Sequence, residues 1–264
     1  MRQASLTVLS LPYADTGDRT VRVYVPAHEE GETLPVIYMT DGQNLFEQAP
    51  GAFGCWHTPE ALEAERQSSG KAAIIVGIHN DGTPQQRACE LTPASIGPLQ
   101  FHPDMPEEVR RQMIPQGESF DSFVLHTVMP AVEERFPVRK GRAATAFCGS
   151  SSGGVQAFYT VLSHPGVFSM AGVFSPAMMM YRPQDIAGWV QGKAQGEVPY
   201  LYLYSGGEEG LEQIIRMCTE GLAGMLGACY PPERLKTVIL PEKPHHESAW
   251  EEVFRDFLHI FLTR

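Results

Sequence analysis

The sequence predicts an α/β fold, a mostly parallel sheet covered by helices on both faces. Short continuous apolar runs alternate with segments whose apolar residues recur at helical spacing. Polar, glycine-containing clusters follow several of those runs, where the carboxyl edge of such a sheet would lie. A third observation is sharper. Residues 143–147 read as a buried strand and residues 155–162 as a helix, and between them stands Cys148-Gly149-Ser150-Ser151-Ser152-Gly153-Gly154. A strand reversing into a helix through G-x-S-x-G holds a serine out at the sheet edge, beside free helix N–H groups.

Taken in order, residues 6–11 and 20–25 alternate apolar and polar and read as an antiparallel edge pair, with Arg19 and Arg22 on the polar side. Glu29, Glu30 and Glu32 around Gly31 form a solvated turn. The runs 34–39 and 72–78 read as buried strands, the first ending in Thr40-Asp41-Gly42-Gln43-Asn44. Runs 143–147, 170–174, 200–204 and 235–240 continue the series. Helical patterns fall at 59–67, 120–135, 155–163, 211–225 and 248–262. Residues 92–117 break the pattern with five prolines and no long clean period, as a lid or substrate-binding insertion does. At 264 residues one large domain spanning 1–264 is expected.

Composition narrows the function classes. A formal charge of −11 argues against nucleic acid and anionic membrane surfaces as partners. No apolar window approaches the length of a membrane span, and the first ten residues alternate like a strand rather than form a secretory leader. The five cysteines are odd in number and lack a C-x-x-C pair. They read as reduced, buried thiols of a cytoplasmic protein, with no metal site and no cofactor.

Serine is a weak nucleophile at neutral pH and needs a base within hydrogen-bond reach, itself oriented by a third group. Ser151 alone has glycine at both −2 and +2, and side chains at those two positions would clash in so tight a turn. Ser152 is the alternative register. In the chain order serine, acid, histidine, the base belongs after the last strand. His245 and His246 are there, whereas His164 ends the elbow helix and His259 lies inside the last helix. The acid belongs in the turn Gly206-Gly207-Glu208-Glu209-Gly210, with Asp185 and Glu242 as weaker choices. A tetrahedral intermediate also needs two N–H donors, each worth about 3–4 kcal/mol. Ser152 follows the nucleophile and supplies one, and the turn at residues 41–44 is the candidate for the other.

Laid out in this order, the chain resembles the putative-esterase family of α/β-hydrolases, which includes feruloyl and acetyl-xylan esterases, siderophore esterases, S-formylglutathione hydrolases and mycolyltransferases. The resemblance runs from residue 34 to 262. It rests on residues 38–46, Trp56, Arg87-Ala88-Cys89-Glu90-Leu91-Thr92-Pro93, the elbow, Phe174-Ser175-Pro176-Ala177, the turn 206–210, and His245-His246-Glu247-Ser248-Ala249-Trp250. It implies the α/β-hydrolase fold, His245 as base, Glu209 as acid, and Gln43 as the second oxyanion N–H. Trp56, Arg87, Met178 and Met179 become candidates for the substrate pocket. Arg87 reads first as the ion-pair partner of Glu90. The Met178-Met179-Met180 run, where many relatives carry tryptophan, suits either an adaptable apolar pocket or ordinary core. The function implied is a serine carboxylic-ester hydrolase acting on a small-molecule ester through a covalent acyl-enzyme. Acyl transfer to a sugar or alcohol is the runner-up, and an inactivated binding module on the same fold comes third.

Overall fold

In the computed structural model, residues 1–13, 17–48, 54–80, 82–193 and 195–264 are described. One eight-stranded sheet runs through the molecule in the order β1-β2-β4-β3-β5-β6-β7-β8. The strands are β1 (Ser5–Pro12), β2 (Asp18–Val25), β3 (Val36–Met39), β4 (Ile74–Ile78), β5 (Thr145–Ser150), β6 (Met170–Phe174), β7 (Tyr200–Ser205) and β8 (Leu235–Ile239). β1, β2 and β4 pair antiparallel, and every pair from β4 across to β8 is parallel.

The burial pattern follows from position. β3 to β7 are buried along their whole length, as strands covered on both faces must be, and their sequences are accordingly continuous in apolar residues. β8, at the edge, is only half-buried, although its apolar run reads like the others. The second edge strand, β1, leaves Val8 63% exposed.

The helices are α1 (Thr58–Ser69), α2 (Pro84–Glu90), α3 (Glu107–Gln112), α4 (Gly117–Phe123), α5 (Met129–Arg135), α6 (Ser152–Ser163), α7 (Pro183–Lys193), α8 (Gly210–Gly227) and α9 (Glu247–Thr263). A π-helical turn, Val124–Val128, joins α4 to α5 in one continuous rod. α1 and α9 cover one face of the sheet against Ile37, Met39, Ile75, Tyr202 and Tyr204. The remaining long helices cover the other face, against Val36, Tyr38, Val76, Phe147 and Leu203. The α/β fold with helices on both faces is therefore as expected. No helix of the described residues is long and apolar enough to cross a membrane.

Between β3 and β5 the winding reverses: β3 leads to β4 on one side, and β5 leads to β6 on the other. Open α/β sheets bind ligands at the carboxyl end of such a reversal. Met39 is paired with Cys148 there, so the turn after β3 and the turn after β5 emerge side by side.

Several expectations are corrected. Arg19 is not on a solvated face. It is buried, its guanidinium donates to the buried Glu90 carboxylate at 2.8–2.9 Å and to the His79 carbonyl at 3.0 Å, and it lies over the Tyr13 ring. Arg87 consequently pairs elsewhere. Of the five free cysteines, Cys55, Cys89 and Cys148 are buried, but Cys229 is exposed. The stretch 92–117 contains α3 and is pinned at both ends. Tyr181 donates to the Pro93 carbonyl, Ala94 and Ser95 N–H groups donate to Glu118, and buried Gln156 of α6 donates to the Gly117 carbonyl.

Removing one partner of a buried ion pair strands the other charge. Glu90→Ala is expected to lower the unfolding free energy by about 3–5 kcal/mol, read as a shifted urea midpoint at constant slope.

Candidate active site

Ser151 directly follows β5 with φ 58° and ψ −123°, a backbone conformation that costs a non-glycine residue about 1–3 kcal/mol. The turn is held by two main-chain hydrogen bonds, Ser151 N–H to the Phe174 carbonyl at 2.9 Å and Ala177 N–H to the Ser151 carbonyl at 3.2 Å. A β-carbon on Gly149 would overlap the Gly153 carbonyl, and one on Gly153 would overlap Thr40 Oγ1. The glycines are thus required by close approach, not merely by flexibility. Ser152 is the first residue of α6, so its N–H has no partner within the helix.

Beside it, β3 is followed by Thr40 and Asp41. Asp41 is buried with φ 56°, and it starts a 3-10 turn, Gly42–Asn44, that carries Gln43. Gly42 lies against the backbone of Gly77 in β4, where any β-carbon would collide with the main chain. The Asp41 carboxylate accepts from Arg87 Nη2 at 2.8 Å, from Arg87 Nε, from Asn80 Nδ2 at 2.6 Å and from Thr40 Oγ1 at 3.2 Å. Burial by itself would raise the Asp41 pKa. The guanidinium charge and these hydrogen bonds outweigh it and hold the carboxyl below its usual range. Arg87 Nη2 also donates to the Ser150 carbonyl at 3.2 Å, so one guanidinium ties the turn after β3 to the elbow after β5.

His245 lies between β8 and α9, its ring set edge-on to Trp250 with centroids 5.1 Å apart. Among the described residues, its Nδ1 is buried without a hydrogen-bond partner. Burial lowers the imidazole pKa, the Arg87 charge lowers it further, and the Glu212 carboxylate opposes both. His246 has another task, its Nδ1 accepting from the Ser248 N–H as the cap of α9. His164 and His259 are engaged by Asp121 and Glu65, at 2.6 and 3.1 Å.

Asp41, Gln43, Trp56, Arg87, Ser151, His245 and Trp250 line one cleft of about 400 Å³, together with Asn44, Asn80 and Glu247. Ser151, His245, Gln43, Trp56 and Arg87 are thereby brought together. Glu209 is not among them. It is exposed and sits at the N-cap of α8, while Glu212, one turn further on, is half-buried and is the carboxylate whose field reaches His245. Met178 and Met179 do not line the cleft either. They border a second, apolar groove of about 720 Å³ against α8. No residue of 92–117 lines the cleft.

Two groups at the site, Glu247 and Asn80, were given no role by the sequence reading. Glu247, buried, accepts from Asn44 Nδ2 at 3.2 Å. Asn80 braces Asp41, and Arg87 reaches it from α2. The helix α2 was legible in principle: Thr83 caps it by accepting from the Gln86 N–H, and Pro84 stands at its first position.

The family model described as Putative esterase matches residues 15–201. The chain belongs to that family. An uncharacterized protein of Bacillus subtilis (strain 168), YbbA, is 24% identical over 169 residues, which are 63% of this chain and 60% of that protein. The chain thus matches less than two thirds of the relative's length. Among solved structures, an IroE-like serine hydrolase from Shewanella oneidensis superposes with a TM-score of 0.75 at 18% identity, covering 97% of this chain and 80% of the other. The siderophore hydrolase EstB from Aspergillus nidulans gives 0.69 at 20% identity, covering 98% and 96%. These likenesses establish the α/β-hydrolase fold.

Because the Asp41 pKa is depressed on folding, its ionised form stabilises the native state at every pH above the ordinary carboxylate range. That contribution disappears only as pH falls through the depressed value. Asp41→Asn is expected to be less stable than the wild type by about 3 kcal/mol at pH 7 and unchanged in that deficit near pH 5. The gap should close well below pH 4, as followed by urea unfolding at a series of pH values.

Proposed function

We propose that the protein is a serine carboxylic-ester hydrolase working through an acyl-enzyme on Ser151. The observation that carries the reading is a strained serine elbow at the sheet's winding reversal, sharing one cleft with a buried, partnerless histidine nitrogen. Ser151 Oγ attacks the ester carbonyl carbon and gives its proton to His245. The carbonyl oxygen takes the displaced electron pair and is held by the N–H groups of Gln43 and Ser152. Collapse re-forms the carbonyl and expels the alcohol oxygen, which His245 protonates. Water then attacks the acyl-enzyme by the same route and releases the acid.

For the group that supports the base, Glu209 was the expected residue, but Glu212 is the better candidate. Its carboxylate acts on His245, and its β-carbon packs where a side chain on Gly207 would otherwise lie. Gly207 has φ 111°, so the turn between β7 and α8 brings Glu212 back toward the sheet edge.

Hydrolysis of p-nitrophenyl acetate is the direct test. Ser151→Ala and His245→Ala are each expected to lose at least about 10³-fold in kcat/KM, and His246→Ala less than tenfold. Wild-type turnover by Ser151→Ala, or a fluorophosphonate that labels any other residue, would refute the assignment.

The working base is neutral imidazole, and burial lowers its pKa below the ordinary 6.5. Activity should therefore persist as pH falls through 6.5 and decline only at lower pH. Since Glu212 opposes that depression, Glu212→Gln should move the acid limb to still lower pH and reduce kcat at least about tenfold, with Glu209→Gln changing neither.

A further inference from the structure

The apolar groove bordered by Met178 and Met179 is not part of the cleft, and its construction asks for a ligand. α8 carries two apolar stripes. Ile215, Thr219 and Leu226 are buried toward the sheet, whereas Ile214, Met217, Cys218, Gly221 and Met225 line the groove at a second helical spacing, with buried Leu222 also lining it. Ile214 is 49% and Met217 58% exposed, among only eight large apolar side chains of the described residues left so open. Tyr181, Ile186 and Ala187 form the opposite wall. Gly221 lies midway along the stripe with no atom within 4 Å of the place its β-carbon would take, so this weak helix former keeps the groove open.

One groove residue adjoins the elbow. Met178 directly follows Ala177, whose N–H donates to the Ser151 carbonyl. An ester on Ser151 has two halves to place. His245 must reach the leaving oxygen and belongs to the cleft with Arg87, Asn80, Thr83 and Glu247, so the alcohol half lies over those polar groups. The acyl half is left facing β6 and α8.

We propose that the groove between α7 and α8 binds the apolar acyl chain of the ester, making medium-chain acyl esters the substrate class. The inference rests on the esterase reading above. Each methylene buried there is worth up to roughly fourfold in kcat/KM. Methionines at 178, 179, 217 and 225 suit a flexible chain better than a rigid ring.

The experiment is a chain-length series of p-nitrophenyl esters, acetate to decanoate, set against octyl acetate, which carries its chain on the alcohol side. The wild type should favour octanoate over acetate at least about tenfold and show no such gain for octyl over ethyl acetate. Gly221→Leu, which fills the groove with a better helix former, and Met217→Glu, an exposed change that puts a charge into it, should each cut the octanoate-to-acetate ratio about tenfold. A flat chain-length profile in an active enzyme overturns the proposal, as does a gain on the alcohol side or an unchanged ratio in both variants. A wild type dimeric by light scattering and made monomeric by either variant, with the ratio unaltered, would also overturn it and assign the groove to a second copy of the chain. Inactivity toward every ester, acetate included, would instead strike down the esterase reading itself.

Discussion

The arrangement at the sheet edge depends on Arg87. Two N–H donors can share one oxyanion only if the turns that carry them are held in a fixed relative position. Strand pairing fixes β3 against β5 as far as Met39 and Cys148, and one more main-chain bond, Thr40 N–H to the Cys148 carbonyl, extends it. Beyond that point the ladder ends. There the guanidinium takes over, gripping the Asp41 carboxylate with two nitrogens and the Ser150 carbonyl with one of them. Burying such a pair need not add net stability, because desolvation offsets much of the attraction. Its contribution is positional, and a fork of planar geometry does this where a lysine would not.

Strain is concentrated at the same edge. Four non-glycine residues have positive φ among those described, and three of them, Asp41, Ser151 and Ser175, directly follow β3, β5 and β6 or lie one residue further. Such conformations persist only where the surroundings over-determine them. Asp41 is fixed by Arg87, Asn80 and Thr40. Ser151 is fixed by bonds to Phe174 and Ala177, and Ser175 donates its N–H to the Tyr204 carbonyl at 2.6 Å. The turns at Ser151 and Ser175 are thus held by the neighbouring strand's end, and that at Asp41 by side chains from the adjoining loop and α2, which is why the buried parallel sheet and the site are inseparable.

How much of this was readable in the sequence varies with the range of the interaction. The strands and five long helices were, since burial on both faces imposes apolar runs on β3 to β7 and a stripe on α1 or α9. The elbow was also readable, because glycines at 149 and 153 answer a local steric demand. β8 misled: an edge strand and a central one share the run at 235–240, and only neighbours distinguish them. Arg19 and Arg87 misled for a related reason. Both lie near Glu90 in chain or space, and which arginine takes which carboxylate is settled by the antiparallel pairing of β2 with β4, which carries Arg19 to Glu90 and leaves Arg87 for Asp41. That the field of Glu212, and not of Glu209, reaches His245 is a question of helical phase, one turn along α8, that a motif read in sequence does not contain.

The proposed base, His245, is held in an unusual balance. No hydrogen bond fixes His245 Nδ1, so the ring's orientation comes from packing: its edge-on contact with Trp250, which stands 5.8 Å from Trp56. Trp250 is in turn anchored by its indole N–H to Ser175 Oγ at 3.2 Å, so the aromatic shelf is registered to the end of β6, one strand from Ser151. A histidine positioned by a shelf keeps a depressed pKa, because the desolvation that orients it also disfavours its charge. The carboxylate's share is then mainly electrostatic, felt when the imidazolium forms. Half-buried Glu212 suits that role, since a carboxylate bonded directly to Nδ1 would have raised the resting pKa and left less neutral base near neutrality.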